Sequence, residues 1–134
     1  MDTALVEKVR HRAEDRCEYC RIGRGFDDAP FEIDHVIARK HGGASTLGNL
    51  ALSCFHCNAF KGPNIAGLDP QTRGLTPLFH PRRHKWPRPF RWQRATLIGR
   101  TPIGRVTIAV LNINDPFRVE LREGLIEEGV FPSE

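Results

Sequence analysis

Two short cysteine pairs constrain the fold of this chain more than any other feature of its sequence. Cys17-Glu-Tyr-Cys20 and Cys54-Phe-His-Cys57 contain all four cysteines of the 134 residues. A C-x-x-C turn presents two thiolates to one metal ion, and two such turns supply the four ligands of tetrahedral zinc. The spacing therefore predicts a structural zinc site that closes the 33 residues between the pairs into a loop.

Two other uses of the cysteines have to be weighed against zinc. Two short disulfides would need an oxidising compartment, and the sequence shows no secretion signal. A thioredoxin-like redox centre would need only one of the two pairs. The sequence also lacks a run of about eighteen apolar residues. We therefore expect a cytoplasmic protein with no membrane-spanning segment.

The charge of the chain is distributed unevenly. The formal net charge is only +4, but residues 70–114 contain no Asp or Glu and nine Lys or Arg side chains. A basic block of this kind suggests a polyanionic partner, most simply a nucleic acid, whereas the alternative is a solvated surface with its charge spread around the domain. The candidate contacts to a nucleic-acid backbone are Arg82, Arg83, Lys85, Arg88 and Arg91.

The pattern of apolar residues predicts a mixture of helices and short strands. We predict a helix over residues 3–16, strands over 31–37, 47–52 and 90–98, and a short helix from residue 58. Thr101-Pro102 and Asp115-Pro116 have the cap-then-proline form of a helix start, so each predicts a C-terminal helix. Residues 63–89 are predicted to wrap the core as a loop, anchored by Leu75, Leu78, Phe79 and Trp86.

These elements predict an α+β fold with two regions, residues 1–69 and 70–134, packed as one domain. The aromatic side chains Trp86, Phe90 and Trp92 lie among the arginines of the second region. Such rings could stack on bases, but we favour the alternative that they anchor the wrapping segment to the core.

Several motifs of the first region occur together in one known family. They are Cys17-Glu-Tyr-Cys20, Asp34-His35, His41-Gly42-Gly43, Asn49-Leu50-Ala51-Leu52, and Cys54-Phe-His-Cys57-Asn58 followed by Lys61-Gly62. In this combination the sequence resembles the HNH endonucleases. The resemblance implies a small ββα-metal (His-Me finger) core with a structural four-cysteine zinc site, here with an N-terminal helix and C-terminal helices.

The resemblance also implies a role for each polar residue of the motif. His35 would be the general base, and Asp34 and Asn58 would hold a catalytic divalent cation. Asn49 would brace the loop, and Lys61 would lie near the phosphate. Successive side chains of a strand point to opposite faces. The neighbours Asp34 and His35 could therefore serve opposite sides of the phosphorus in an in-line displacement.

One position departs from the usual family pattern. Many relatives have histidine where this chain has Asn58, and an amide oxygen favours Mg²⁺ or Mn²⁺ over zinc or nickel. Each assignment keeps its structural alternative. Asn58 could simply cap a helix, and Asp34 and His35 could be one buried and one surface residue of an ordinary strand.

The leading hypothesis is a metal-dependent endonuclease that hydrolyses phosphodiester bonds of DNA, with RNA left open. A non-catalytic, zinc-stabilised nucleic-acid-binding module is the alternative, and a purely structural zinc domain that binds a protein partner ranks third. The sequence leaves open the target, nicking versus double-strand cleavage, the biological role, and whether the protein is a monomer or a dimer.

Overall fold

The computed structural model describes residues 1–132, which form four α-helices and three two-stranded antiparallel sheets. The α+β prediction is confirmed. The last two residues of the predicted second region, 133 and 134, lie outside the described part. The helices are α1 (Thr3–Arg12), α2 (Phe55–Lys61), α3 (Pro102–Val110) and α4 (Pro116–Glu127). The strands are β1 (Glu32–His35), β2 (Leu50–Ser53), β3 (Ala66–Leu68), β4 (Leu75–Pro77), β5 (Phe90–Gln93) and β6 (Thr96–Gly99).

The centre of the first region is a ββα unit. Strands β1 and β2 pair antiparallel, with His35 opposite Leu50 and Glu32 opposite Ser53. All four residues of β2 are buried, so this strand carries much of the local core. Helix α2 starts directly after β2 because Cys54 caps it: its Sγ accepts a hydrogen bond from the backbone N–H of Cys57 at 3.4 Å.

Helix α1 is shorter than the sequence predicted. It ends at Arg12 because Glu14 and Asp15 both have a φ of +55°, in the left-handed region, which a continuing helix excludes. The chain then turns into the first cysteine pair, where Arg16 forms an isolated antiparallel bridge with Gly23. The early stop lets this cysteine pair, residues 17–20, fold back against β2; we call it the first knuckle.

The segment 63–89 is not the unbroken loop that we predicted, because it contains the hairpin β3–β4. Asp69 at the hairpin tip accepts two hydrogen bonds of 2.9 Å from the guanidinium of Arg105 on α3, which ties the tip to the helix. Leu78 and Phe79 are buried as predicted. The prediction that Leu75 anchors the segment is wrong, since this side chain is 78% exposed.

Residues 90–98 form a hairpin rather than the single strand predicted. In the turn between β5 and β6, Arg94 has a φ of +55°. Hairpin turns with positive φ usually contain glycine or asparagine, and this turn contains neither, so the sequence did not predict it. The two helix starts are as predicted. The side chains of Thr101 and Asp115 accept bonds from the first turns of α3 and α4, each of which begins with proline.

The aromatic residues of the basic segment pack against the core and against one another. The indole N–H of Trp86 donates to the carbonyl of Tyr19 at 2.9 Å, and its ring lies 5.1 Å from that of Phe90. The ring of Trp92 lies 5.8 Å from that of Trp86. These contacts favour the core-anchoring role for the aromatic residues. None of the helices within residues 1–132 has the length and hydrophobicity to cross a bilayer.

Candidate active site

The four cysteines converge in one buried cluster. Their Sγ atoms all lie within 4.8 Å of one another, and the pair from Cys20 and Cys54 is 3.8 Å apart. Tetrahedral zinc with bonds of about 2.3 Å separates its sulfur ligands by about 3.8 Å, so the cluster fits this ion. All four cysteines are free, which argues against the disulfide alternative.

Hydrogen bonds around the sulfurs support thiolate ligands. Backbone N–H groups of Tyr19 and Cys20 donate to Cys17 Sγ at 3.4 and 3.5 Å. The guanidinium of Arg118 on α4 donates to Cys54 Sγ at 3.7 Å and to Asp27 at 2.9 Å. Donors of this kind offset negative charge on metal-bound sulfur and orient the ligands.

Asp34 is buried on β1 and bonded on both carboxylate oxygens. Its Oδ2 accepts from the hydroxyl of Tyr19 at 2.6 Å and lies 3.2 Å from Lys61 Nζ. Among residues 1–132, Oδ1 accepts from this ammonium alone, at 3.3 Å. Burial raises the pKa of the Asp34 carboxyl, and the two donors oppose that rise. The same burial, with the charge of Asp34, raises the pKa of Tyr19, so Tyr19 stays a neutral donor.

Lys61 lies at the end of α2 with a side chain that is 1% exposed. Besides Asp34, its ammonium donates to the carbonyls of His35 and Val36 at 3.3 and 3.0 Å. The structure thus places this charge on the buried side of the end of β1, where it compensates the carboxylate of Asp34. A contact between Lys61 and a phosphate stays a prediction.

His35 points away from this buried pair. It is half-buried, and its Nε2 lies 2.8 Å from the hydroxyl of Ser45 in the loop between β1 and β2. Because β1 alternates its side chains, Asp34 faces the interior toward α2 and His35 faces the loop. The adjacency of the two residues in the sequence becomes a separation between two faces in the structure.

Asn49 braces the loop that carries these residues. Its amide oxygen accepts from the N–H of Ile37, and its Nδ2 donates to the carbonyls of Ile37 and Ala44, all at 2.9 Å. Gly43 is required beside it, because a Cβ there would lie 1.7 Å from the carbonyl oxygen of Ile37. The loop therefore has a fixed path from β1 past Ser45.

Asn58 lies on α2 and is half-buried. Within residues 1–132 its side chain makes no hydrogen bond, and the N-cap of α2 is Cys54 rather than Asn58. The helix-capping alternative for Asn58 is therefore wrong. Its amide oxygen has no partner among the described residues, and Asp34 Oδ1, which accepts from Lys61, has a second lone pair; oxygen donors of this kind suit a hard cation.

The basic residues predicted to contact nucleic acid fall into two groups. The side chains of Arg83, Lys85, Arg88 and Arg91 are exposed and have no charged or hydrogen-bonded partner among the described residues. Arg82 is different, because its guanidinium pairs with the buried carboxylate of Glu18. Glu18 also accepts from the N–H of Leu52 at 2.8 Å, so this pair connects the first knuckle to β2.

Both cysteine pairs and the ββα unit fall within one segment that can be compared with known families. Residues 17–63 match the family model of the HNH endonucleases. The resemblance inferred from the motifs is confirmed for this stretch, which we call the HNH segment. With its ββα topology and four-cysteine cluster, the segment is consistent with the small ββα-metal fold. Comparison with curated proteins and with solved structures gives no significant match.

Two residues of the HNH segment were missed by the sequence analysis. Tyr19 bonds to Asp34, and Ser45 bonds to His35. Tyr19 is an aromatic residue between the two cysteines of the first knuckle, where it could equally be a core residue. Ser45 is one of several polar residues in its loop. Neither position carries a local signal, because each contact joins residues that are at least ten positions apart in the sequence.

Proposed function

We propose that the protein is a metal-dependent endonuclease that hydrolyses phosphodiester bonds in DNA. The observation that carries the proposal is the placement of His35 inside the HNH segment. Its imidazole is partly open to solvent, directly beside a buried carboxylate on the other face of the same strand. Such a pair offers a proton acceptor and a source of negative charge within one small site.

In this proposal His35 is the general base. In the tautomer whose Nε2–H donates to the Ser45 hydroxyl at 2.8 Å, Nδ1 is the nitrogen that accepts a proton from water. The water oxygen then forms a bond to phosphorus while one phosphorus–oxygen ester bond breaks. The water proton passes to His35, and the leaving oxygen takes a proton from solvent. Ser45 is a positioning residue here, because it acts only through the imidazole.

Asp34 and Asn58 would hold the catalytic cation, Mg²⁺ or Mn²⁺. A bound divalent ion would supply positive charge to the phosphate and the leaving oxygen. Lys61 and Tyr19 fix the Asp34 carboxylate on Oδ2 and leave Oδ1 the less occupied oxygen. Asn49 keeps the loop in register, and the cysteine cluster would hold a zinc ion that is structural only.

The test is cleavage of supercoiled plasmid DNA by zinc-loaded protein in Mg²⁺ or Mn²⁺. His35→Ala is expected to lower the rate by at least about 100-fold, the usual contribution of a positioned general base. Ser45→Ala is expected to lower kcat by a smaller factor and to change the pH profile, since the imidazole loses its orientation. Gel-resolved time courses measure both effects.

The matched control is His11→Ala, which alters an exposed histidine of α1 outside the HNH segment. It is expected to cleave at the rate of the unaltered protein. Equal cleavage by the His35→Ala protein, or no cleavage by any protein in either metal, would remove the catalytic proposal.

The ion pair between Lys61 and Asp34 gives specific support to a second candidate. A carboxylate already neutralised by a buried ammonium can be purely structural, as expected for a non-catalytic nucleic-acid-binding module. This candidate predicts salt-sensitive DNA binding that His35→Ala leaves unchanged, and no cleavage under any of the metal conditions.

A further inference from the structure

Two neighbouring cavities form a trough that leads away from the candidate active site. The first has a volume of about 280 Å³ and is lined by Val36 and Lys61, which adjoin Asp34 and His35. The second has a volume of about 600 Å³ and lies at the N-terminal end of α3. Arg83 and His84 line both cavities, so the two lie next to each other along the basic segment.

The trough has an apolar floor and a basic rim. Pro89, Pro102 and Ile103 form apolar surface in the larger cavity, and Ile65 and Leu78 do so in the smaller one. Apart from Thr101, the polar lining residues are histidines and cations: Lys61, His80, Arg83, His84, Lys85 and Arg88. None of the residues that line either cavity is acidic. An anionic ligand would therefore enter without opposing charge.

The cations of the rim differ from the ion-paired arginines of the C-terminal region, residues 70–134. Arg105 is bonded to Asp69, and Arg118 to Asp27. By contrast, the side chains of Arg83, Lys85 and Arg88 are exposed and have no acidic partner within the described residues. The trough therefore carries three exposed cations that no carboxylate of the described residues compensates.

We propose that the trough binds an unpaired stretch of nucleic-acid strand, with bases on the apolar floor and phosphates on the cationic rim. The proposal rests on the proposed nuclease function and specifies its substrate as DNA with a single-stranded segment beside the scissile bond. Single-strand binders combine a positive groove with rings on which bases stack, and the rings of Phe79 and His84 line the smaller cavity beside its aliphatic floor. A duplex keeps its bases stacked inside and offers mainly phosphates and groove edges, which would leave the apolar floor unused.

The first test measures binding by fluorescence anisotropy with zinc-loaded His35→Ala protein, which is not expected to cut the probe. The probes are a labelled strand of about 16 nucleotides and the same strand in a duplex. The single strand is expected to bind more tightly. Arg88→Glu and Lys85→Glu are each expected to weaken single-strand binding about tenfold and to reduce the slope of log Kd against log salt by about 0.7.

A floor variant separates apolar contact from charge. Ile103→Thr keeps the β-branched shape but replaces a hydrocarbon group with a hydroxyl. It is expected to weaken single-strand binding about threefold while the salt slope and duplex affinity stay unchanged. The control is Lys8→Glu, an equal charge reversal at an exposed position of α1, which is expected to change neither affinity.

Equal affinity for the single strand and the duplex would overturn the proposal, as would a Lys8→Glu protein that loses as much affinity as Arg88→Glu. Plasmid cleavage by the unaltered and His35→Ala proteins is measured in parallel. If cleavage depends on His35 but the trough variants bind the single strand as tightly as the unaltered protein, the trough proposal alone is rejected. Single-strand binding that depends on the trough, without His35-dependent cleavage, would support the trough and reject hydrolysis.

Discussion

The two most deeply buried cations of the molecule lie in different regions and are compensated differently. Lys61, in the HNH segment, pairs with the carboxylate of Asp34. Arg122, on α4, donates to the carbonyls of Ala95 and Ile113 at 2.9 and 3.0 Å and lies 5.2 Å from the ring centre of Trp92. None of the contacts of Arg122 within residues 1–132 is with a carboxylate.

This difference separates the region that holds the cysteine cluster and the proposed active site from the region that follows it. In the HNH segment, the buried polar groups lie beside thiols and a carboxylate, next to the apolar side chains of β2. In the C-terminal region the buried guanidinium acts as a multiple hydrogen-bond donor that ties the β5–β6 turn and the α3–α4 connection to α4. We therefore expect metal to control the stability of the first region and packing to control that of the second.

Loss of zinc should have the largest effect. Structural zinc sites contribute on the order of 10 kcal/mol to folding, so Cys54→Ser or a strong chelator should unfold the HNH segment. Hydrogen exchange should show the amides of β1 and β2 losing protection before those of β5 and β6. Phe55→Ala, at an exposed side chain of the same turn, should retain one zinc per chain and normal protection. If the amides of β1 and β2 exchange as slowly in the metal-free protein as in the zinc-loaded protein, the comparison is contradicted.

Removal of the buried guanidinium should come next. Arg122→Ala leaves the carbonyls of Ala95 and Ile113 without a donor and opens a cavity, so we expect a loss of about 3 kcal/mol in the free energy of unfolding. Glu123→Gln removes an exposed ion pair on the same helix and should cost less than about 1 kcal/mol. Urea unfolding monitored by tryptophan fluorescence measures both, and equal losses would show that Arg122 is not a structural tie.

The loop brace of the HNH segment should have an intermediate effect on stability. Asn49→Ala removes three hydrogen bonds of 2.9 Å, so we expect a loss of about 2 kcal/mol. The loop also carries Ser45 toward His35. The rate of DNA cleavage by the protein that remains folded should therefore fall as well. Cleavage by folded protein, compared with urea unfolding of the same preparation, separates the two. Unchanged cleavage would show that the brace does not position the imidazole.

The smallest predicted effect is a pH dependence in the C-terminal region. Burial, assisted by neighbouring positive charges, lowers the pKa of His80 to about 4. The unfolded chain then binds a proton at higher pH than the folded protein. The contribution to stability is complete above about pH 6.5 and is lost progressively as pH falls toward 4.

A substitution isolates that contribution. His80 Nδ1 accepts from the N–H of Arg82 at 3.2 Å, and asparagine offers an oxygen in a similar place without titrating. His80→Asn should therefore reduce the loss of stability between pH 7 and pH 5 in urea unfolding. The same loss in both proteins would assign the acid sensitivity to other groups.

Much of the HNH segment could be predicted from short-range patterns. The cysteine spacings indicated the cluster, and Asp34-His35 predicted two residues on opposite faces of a strand. The same holds for the starts of α3 and α4, since a capping side chain and a proline act within one helical turn. The catalytic roles of Asp34, His35, Asn58 and Lys61 stay predictions, because no cleavage or cation binding tests them.

The sequence by itself determined which local units form: two thiolate turns, an alternating strand and capped helices, each specified by residues within a few positions of one another. Only the tertiary structure decided which distant side chains meet. Tyr19 reaches Asp34, Ser45 reaches His35, and Arg82 is held by Glu18. Such contacts depend on how all elements pack together, because burial and pairing energies are set by the complete environment of a group rather than by its neighbours in the chain.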